Sequence, residues 1–241
     1  MHESLYRAHD ALEDAHWWFL GRRAIVRAFL QAHLPAAERR RVLDVGCGTG
    51  GMLPLLAEFG QVTALDESAE ALAFAQKRAG GARLLHGAVP DGLPAGETFD
   101  LVTAFDVLEH IPRVEAAAGR LRAALAPGGC LVVTVPAYAF LWSEHDVTNH
   151  HQRRYTEALL RQHLAAGGLA VQRASYFNTW LFPAVVAARL LAPAKAGTSD
   201  LTLPTTLVNR ALRALFSSER HLVPRVRLPF GVSLVALARA A

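Results

Sequence analysis

Residues able to do chemistry gather at three places in this 241-residue chain. The first is Arg41–Gly51, R-V-L-D-V-G-C-G-T-G-G. Val42, Leu43 and Val45 read as a short buried strand, and Gly46, Gly48 and Gly50 then let the backbone turn sharply and approach a ligand without Cβ atoms in the way. Taken as G-x-G-x-x-G, Gly46, Gly48 and Gly51 match a dinucleotide fingerprint whose glycines and following helix N-terminus receive a pyrophosphate. Asp44 argues against that ligand, because its carboxylate would face a pyrophosphate with like charge but suits a cation. The second place is Asp66, which ends a predicted strand Gln61–Leu65 about 20 residues beyond the first glycine, the distance at which an acid meets ribose hydroxyls. The third is the polar run S-E-H-D-V-T-N-H-H-Q-R-R-Y at Ser143–Tyr155. His145 stands between Glu144 and Asp146, and an imidazole near a carboxylate is readily poised near neutrality, so His145 with Asp146 is the candidate catalytic pair. The histidines of this run have no metal-ligand spacing on a regular element, and no metal is expected.

Two further segments follow the glycine loop: F-D-L-V-T-A-F-D-V-L-E-H at Phe99–His110, and L-R-A-A-L-A-P-G-G-C-L-V-V-T-V-P at Leu121–Pro136. With V-L-D-V-G-C-G-T-G and Asp66, in this order and at this spacing, the stretch from Arg41 to Pro136 resembles the class I S-adenosylmethionine-dependent methyltransferases. The resemblance implies a doubly wound, mostly parallel seven-stranded sheet of Rossmann-like type, with an antiparallel last strand inserted between the fifth and sixth. It also implies S-adenosylmethionine as cofactor and S-adenosylhomocysteine as product. The matching cofactor positions are Asp44, Gly46, Cys47, Gly48 and Gly50, then Asp66 and Glu67, then Phe105, Asp106 and His110. Relatives often place an acid beside the adenine amino group where this chain has Ala88, so adenine recognition is expected from backbone groups around Ala88 and Val89.

The elements that must position these groups follow from pattern. Two helices are expected before residue 41, with Trp17, Trp18 and Arg22 on a segment that either closes the sheet edge or forms a lid over the site. A crossover helix is expected over Gly51–Phe59, with Pro54 tolerated in its first turn, and another over Ala69–Ala79. A-P-G-G should end the helix before a fifth strand Cys130–Val135. The Trp142–Tyr155 loop then hangs over the delivery point of the methyl group, with Trp142, Glu144, His150, Arg154 and Tyr155 as acceptor contacts. A helix from Thr156 to Ala166, a sixth strand Leu169–Ala174 and a last strand Phe230–Arg239 complete the sheet, leaving two helices around G-T-S-D (Gly197–Asp200) as an insertion. The chain thus reads as one domain: cap 1–40, cofactor core 41–174, helical insertion 175–229 and final strand 230–241.

Composition bounds the function. A net charge of +4 without a long basic run gives no argument for nucleic acid, and two cysteines are far too few for a disulfide framework. A reducing cytoplasm is expected, since the polar start has no apolar signal-peptide core. The expected activity is O- or C-methylation of a small-molecule or lipid-linked acceptor. A nicotinamide-dependent oxidoreductase, or a cofactor-binding relative with a non-methylating reaction such as cyclisation, stands as the alternative. The apolar run Ala174–Ala194 and the arginine-rich stretch after it cannot span a bilayer with both ends in one sheet. Residues 174–228 are therefore read as a homodimer face, a wall for a greasy acceptor, or a peripheral membrane surface at the inner face of the membrane.

Overall fold

The computed structural model describes residues 3–34, 40–191 and 203–241. The chain opens with two helices, α1 (Glu3–Leu12) and α2 (Trp17–His33). The sheet then begins with β1 (Arg40–Val45), followed by α3 (Leu53–Leu56), β2 (Gly60–Asp66), α4 (Ala69–Ala75), β3 (Arg83–His86) and β4 (Phe99–Phe105). Next come α5 (Val114–Ala123), β5 (Leu125–Pro136), α6 (Glu144–Thr148), α7 (Glu157–Ala166) and β6 (Leu169–Phe177). Helices α8 (Phe182–Leu191) and α9 (Thr206–Ser218) precede β7 (Ser233–Ala240). The G-T-S-D stretch lies outside the described residues.

The seven strands order as β3-β2-β1-β4-β5-β7-β6, with β1 to β5 parallel and β7 antiparallel to both β5 and β6. Central strands buried on both faces explain the near-continuous apolar runs of V-L-D-V and L-V-T-A-F. One face packs on α5 and α7 through Val114, Ala118, Leu121, Leu160 and Leu164. The other receives Ile25, Val26, Phe29 and Leu30 of α2 and Phe216 of α9. The carboxyl ends of β1, β2 and β4, where doubly wound sheets bind ligands, carry Asp44, Asp66 and Asp106.

Several expected boundaries moved. The crossover helix after the glycine loop is a single turn, because Gly50 N–H turns back to the Cys47 carbonyl and Pro54 offers no donor in the first turn. The next helix ends at Ala75 and tightens into a 3-10 turn, Gln76–Arg78. A-P-G-G lies within β5, whose start at Leu125 pairs with Phe99 before a register shift leads to the Leu101–Cys130 pair. β6 runs three residues past the expected end because its last residues pair with the start of β7 at Ser233 and Leu234. Among the described residues no helix is long and apolar enough to cross a membrane.

One buried carboxylate fixes how the inserted helices join the sheet. Glu219, fully buried just after α9, accepts the backbone N–H groups of Asn178 (2.6 Å), Thr179 (2.7 Å) and Trp180 (3.0 Å), where β6 gives way to α8. Replacing it with alanine leaves three buried donors unmet. Glu219→Ala should therefore lower the unfolding free energy by about 3 kcal/mol, and Glu219→Gln by less, as read from urea denaturation.

Candidate active site

The glycine loop is folded back onto the neighbouring strand, the N–H groups of Gly46 and Cys47 donating to the Leu65 carbonyl at 2.7 and 3.0 Å. Gly48 has φ +55°, and a Cβ built on it would meet no atom within 4 Å, so this turn presents bare backbone to open space. Gly46, at φ +68°, has no such room: a Cβ would lie 2.5 Å from Val107. That combination is a cradle for a ligand approaching the backbone closely.

Carboxylates surround the cradle. Asp66 accepts the N–H of Gly48 at 2.7 Å and of Ser68 at 3.0 Å; burial raises its carboxyl, and those two donors oppose the rise. Asp44 is fully buried, and burial pushes its carboxyl up to about 7 against the Thr103 hydroxyl, which donates to it at 2.6 Å, and the Arg22 charge. Asp106 holds a positive φ of 56° and pairs with Arg22 at 2.8 Å, while the Thr134 hydroxyl donates to it at 3.0 Å. Arg22 in turn lies over the rings of Trp18 (5.1 Å) and Phe105 (5.8 Å), which ties α2 to the end of β4. Arg78 links the cap to the same loop: it forms ion pairs with Asp10 of α1 and, at 3.0 Å, with Asp14 just beyond it, and donates to the Thr49 carbonyl at 3.3 Å.

A cavity of about 520 Å³ opens here. Asp44, Gly46, Cys47, Gly48, Phe105, Asp106 and His110 line it from the sheet side, and Trp17, Trp18 and Arg22 from α2. His145 and Arg154 line it from the Ser143–Tyr155 loop. Of the other expected cofactor positions, Gly50, Asp66, Glu67, Ala88 and Val89 do not belong to this lining. Asp66 instead braces the loop from behind through Gly48. Gly50 is packed against Ala75, and Ala88 is exposed.

The loop departs from the expected arrangement. Asp146 is fully buried and does not pair with His145. Its carboxylate accepts from Arg154 at 2.8 and 3.0 Å, from His151 Nδ1 at 2.8 Å and from the Ser143 N–H at 2.8 Å, capping α6. Burial alone would raise this carboxyl, but the bonds from His151 and Arg154 outweigh it and hold it well below the usual carboxylate range. A carboxylate so saturated positions the loop rather than taking a proton. The His145 ring lies 3.3 Å from the Asn149 side-chain amide. Tyr155 is also structural, fully buried with its hydroxyl donating to the Leu108 carbonyl at 3.3 Å. Trp142, Glu144 and His150 are not part of the cavity wall; His150 is exposed at a positive φ of 57°. Arg154 reaches the cavity, yet its guanidinium is committed to Asp146 and the Ala137 carbonyl.

Sequence reasoning missed Glu109, Asn149 and His151 as cavity residues, along with His9, Glu13 and His16 of the cap. Only the E-H pair at 109–110 carried a visible signal, inside the segment already noted. The others depend on which loop folds back onto which.

Comparison with known proteins agrees with this geometry. The family model described as a methyltransferase domain matches residues 16–184. Trans-aconitate 2-methyltransferase of Variovorax paradoxus (strain S110) is 37% identical over 110 residues, covering 44% of this chain and 42% of its own length. The ubiquinone biosynthesis O-methyltransferase of Idiomarina loihiensis is 31% identical over 170 residues, covering 58% of this chain and 69% of its own. The chain spans about half the length of the curated relatives it matches. Among solved structures, an S-adenosylmethionine-dependent methyltransferase from Mesorhizobium loti shares the fold with a TM-score of 0.58 at 20% identity, covering 87% of this chain and 95% of its own. The magnesium protoporphyrin IX methyltransferase of Synechocystis PCC 6803, solved with bound SAH, does so with a TM-score of 0.55 at 18% identity, over 92% and 85%. The chain belongs to the methyltransferase-domain family, of the class I S-adenosylmethionine-dependent type, and S-adenosylmethionine is the cofactor. The open cradle at Gly48 and the buried acid Asp44 fit an adenosyl ligand that carries cationic groups.

Two outcomes follow for cofactor binding. Because the Asp44 carboxyl titrates at about 7 and attracts a cation only when ionised, affinity for S-adenosylmethionine should rise about tenfold between roughly pH 6 and 8 and then level off. Asp44→Asn should bind more weakly and show no such step in calorimetry. Asp66→Ala should weaken binding by about ten- to a hundredfold, since the Gly48 N–H loses its buried acceptor and the loop its brace. Unchanged affinity in Asp66→Ala would remove Asp66 from the site.

Proposed function

We propose that the chain transfers the methyl group of S-adenosylmethionine to an oxygen or carbon of a small-molecule acceptor held in the 520 Å³ cavity. The observation that carries this reading is that the glycine cradle with Asp44 and the loop bearing His145 open onto one cavity, which Trp17 and Trp18 also line. The sulfonium supplies an electrophilic methyl group. The chain's own task is to hold the acceptor in line within van der Waals reach and keep water out, which the cap helices and the Arg22–Asp106 pair are placed to do. His145 is the group proposed to take the acceptor's proton, with the Asn149 amide beside it orienting the ring. Asp146 acts through position, anchoring α6. The names of the relatives, which include an O-methyltransferase of ubiquinone biosynthesis and a methyltransferase acting on trans-aconitate, support an oxygen acceptor on a small organic molecule. The antiparallel β7 between β5 and β6 speaks against the nicotinamide alternative.

The apolar insertion favours a lipid-linked acceptor as a second reading. Val185, Ala188 and Arg189 of α8 border the cavity. On α9, Leu207 (79% exposed), Val208 and Leu215 form an open apolar stripe beside the exposed Arg210 and Arg213. An apolar stripe edged by arginines suits an anionic membrane surface.

Incubation with methyl-labelled S-adenosylmethionine and a panel of hydroxylated and carboxylated acceptors should release S-adenosylhomocysteine together with a labelled product; conversion of an acceptor with neither S-adenosylhomocysteine nor label in the product would point to a non-methylating reaction. His145→Ala should reduce turnover by about a hundredfold or more while leaving cofactor affinity intact. Normal turnover in a folded variant would take His145 out of the mechanism. Sedimentation with anionic vesicles should show binding that salt weakens and that a Leu207→Ser, Val208→Ser, Leu215→Ser variant loses. A stable dimer with no vesicle binding would assign the stripe to a subunit interface.

A further inference from the structure

We propose that Glu109, His110 and His151 form a binding site for a divalent transition-metal ion, of the zinc and cobalt class, in the wall of the cavity. One carboxylate oxygen and one ring nitrogen from each histidine all lie within 4.8 Å of one another, and all three residues line the cavity. This inference stands apart from the identity of the acceptor and from the assignment of His145.

The carboxylate is the first observation. Glu109 is fully buried, and neither of its oxygens has a hydrogen-bond partner. The cations nearby are engaged elsewhere: Arg22 pairs with Asp106 and Arg154 with Asp146. A buried carboxylate without partners carries a large desolvation cost, which either a proton or a bound cation relieves.

The two histidines decide between them. His151 has its Nδ1 tied to the Asp146 carboxylate at 2.8 Å. With Nδ1–H donating to that carboxylate, the His151 ring presents Nε2 as its lone pair. An imidazole whose far nitrogen donates to a carboxylate or carbonyl is the usual arrangement around a bound metal, since it fixes the tautomer and raises ligand basicity. A proton on Glu109 would engage neither ring; a metal ion engages both.

The two ligand segments are also held rigidly together. The Gln152 N–H donates to the Glu109 carbonyl at 2.7 Å, Arg153 donates to the carbonyls of Leu108, Ile111 and Pro112, and the two imidazoles meet edge to face with centroids 4.6 Å apart. Two imidazoles and one carboxylate select zinc, cobalt, iron or manganese over magnesium and calcium, which take oxygen ligands. Three protein ligands leave a position open, as in catalytic rather than structural sites. His151 lies in a different segment of the sequence from the E-H pair, so spacing alone does not join the three.

The test uses untagged, chelator-stripped protein titrated with Co²⁺ and followed by visible d–d absorption. Expected is saturable binding of about one equivalent, displaced by Zn²⁺, and weakened about a hundredfold or more in Glu109→Gln and in His151→Gln, with a retained cooperative urea unfolding transition as the check on folding. Absence of a saturable signal up to about millimolar Co²⁺ would overturn the site, as would affinity equal to that of the unaltered protein in both variants, which would place the ion on other histidines. A second measurement needs no variant: Zn²⁺ added to protein with nitrogen-labelled histidines should shift the ring resonances of His110 and His151, and shifts confined to other histidines would equally overturn it.

Discussion

The ion pair between Arg22 and Asp106 is where the sheet and the helical cap become one site. Parallel strands ending side by side bring Asp44, Asp66 and Asp106, with Glu109 just beyond, to one buried edge, and like charges in a low-dielectric setting oppose one another. Arg22 answers this from outside the sheet. Its guanidinium lies over Trp18 and Phe105, bonds Asp106 and approaches the Thr134 hydroxyl, so α2 can dock only in the register that delivers it there. Without α2 the carboxylate edge would face water and the cavity would have no aromatic wall. The cap is therefore part of the electrostatics of the site as much as its cover.

A second buried pair does the equivalent work for the acceptor side. Asp146 with Arg154 and His151 ties the short helix α6 to the strand-like segment that pairs Ala137 with Tyr155. A four-sided set of partners makes Asp146 unfit for proton transfer but sets where His145, Asn149 and His151 point. The same economy recurs at Glu219, where one carboxylate gathers three backbone donors and joins the inserted helices to the end of β6. In both places a buried acid serves as a fastener: at Asp146 the donors outweigh burial and favour the ionised form, whereas at Glu219 burial outweighs the three backbone donors and raises the carboxyl.

The motifs of the sheet were legible because they are local. V-L-D-V-G-C-G-T-G encodes a strand, a turn that needs positive φ, and an acid at the strand's end within nine consecutive residues, and F-D-L-V-T-A-F-D does the same for β4. Boundaries were less legible where a neighbour decides them. A-P-G-G reads as a helix stop, yet it enters β5 because Phe99 supplies a partner for Leu125, and β6 lengthens because β7 offers a partner as far as Ser233. The pairing of His145 with Asp146 was inferred from adjacency in the chain, but consecutive residues on a helix point about a hundred degrees apart, so adjacency is a poor guide to contact.

By itself, then, the amino-acid sequence determined the class of fold, the glycine cradle, the acids at the strand ends and the cationic character of the ligand, since each follows from short-range periodicity and residue chemistry. Tertiary structure alone decided which acid does what. Arg22 finds Asp106 across 84 residues, His151 meets Glu109 and His110 from another loop, and Asp146 turns inward to Arg154 rather than toward His145. These choices depend on burial and on competition for a limited set of donors. Both are properties of the packed chain that no local stretch of sequence contains.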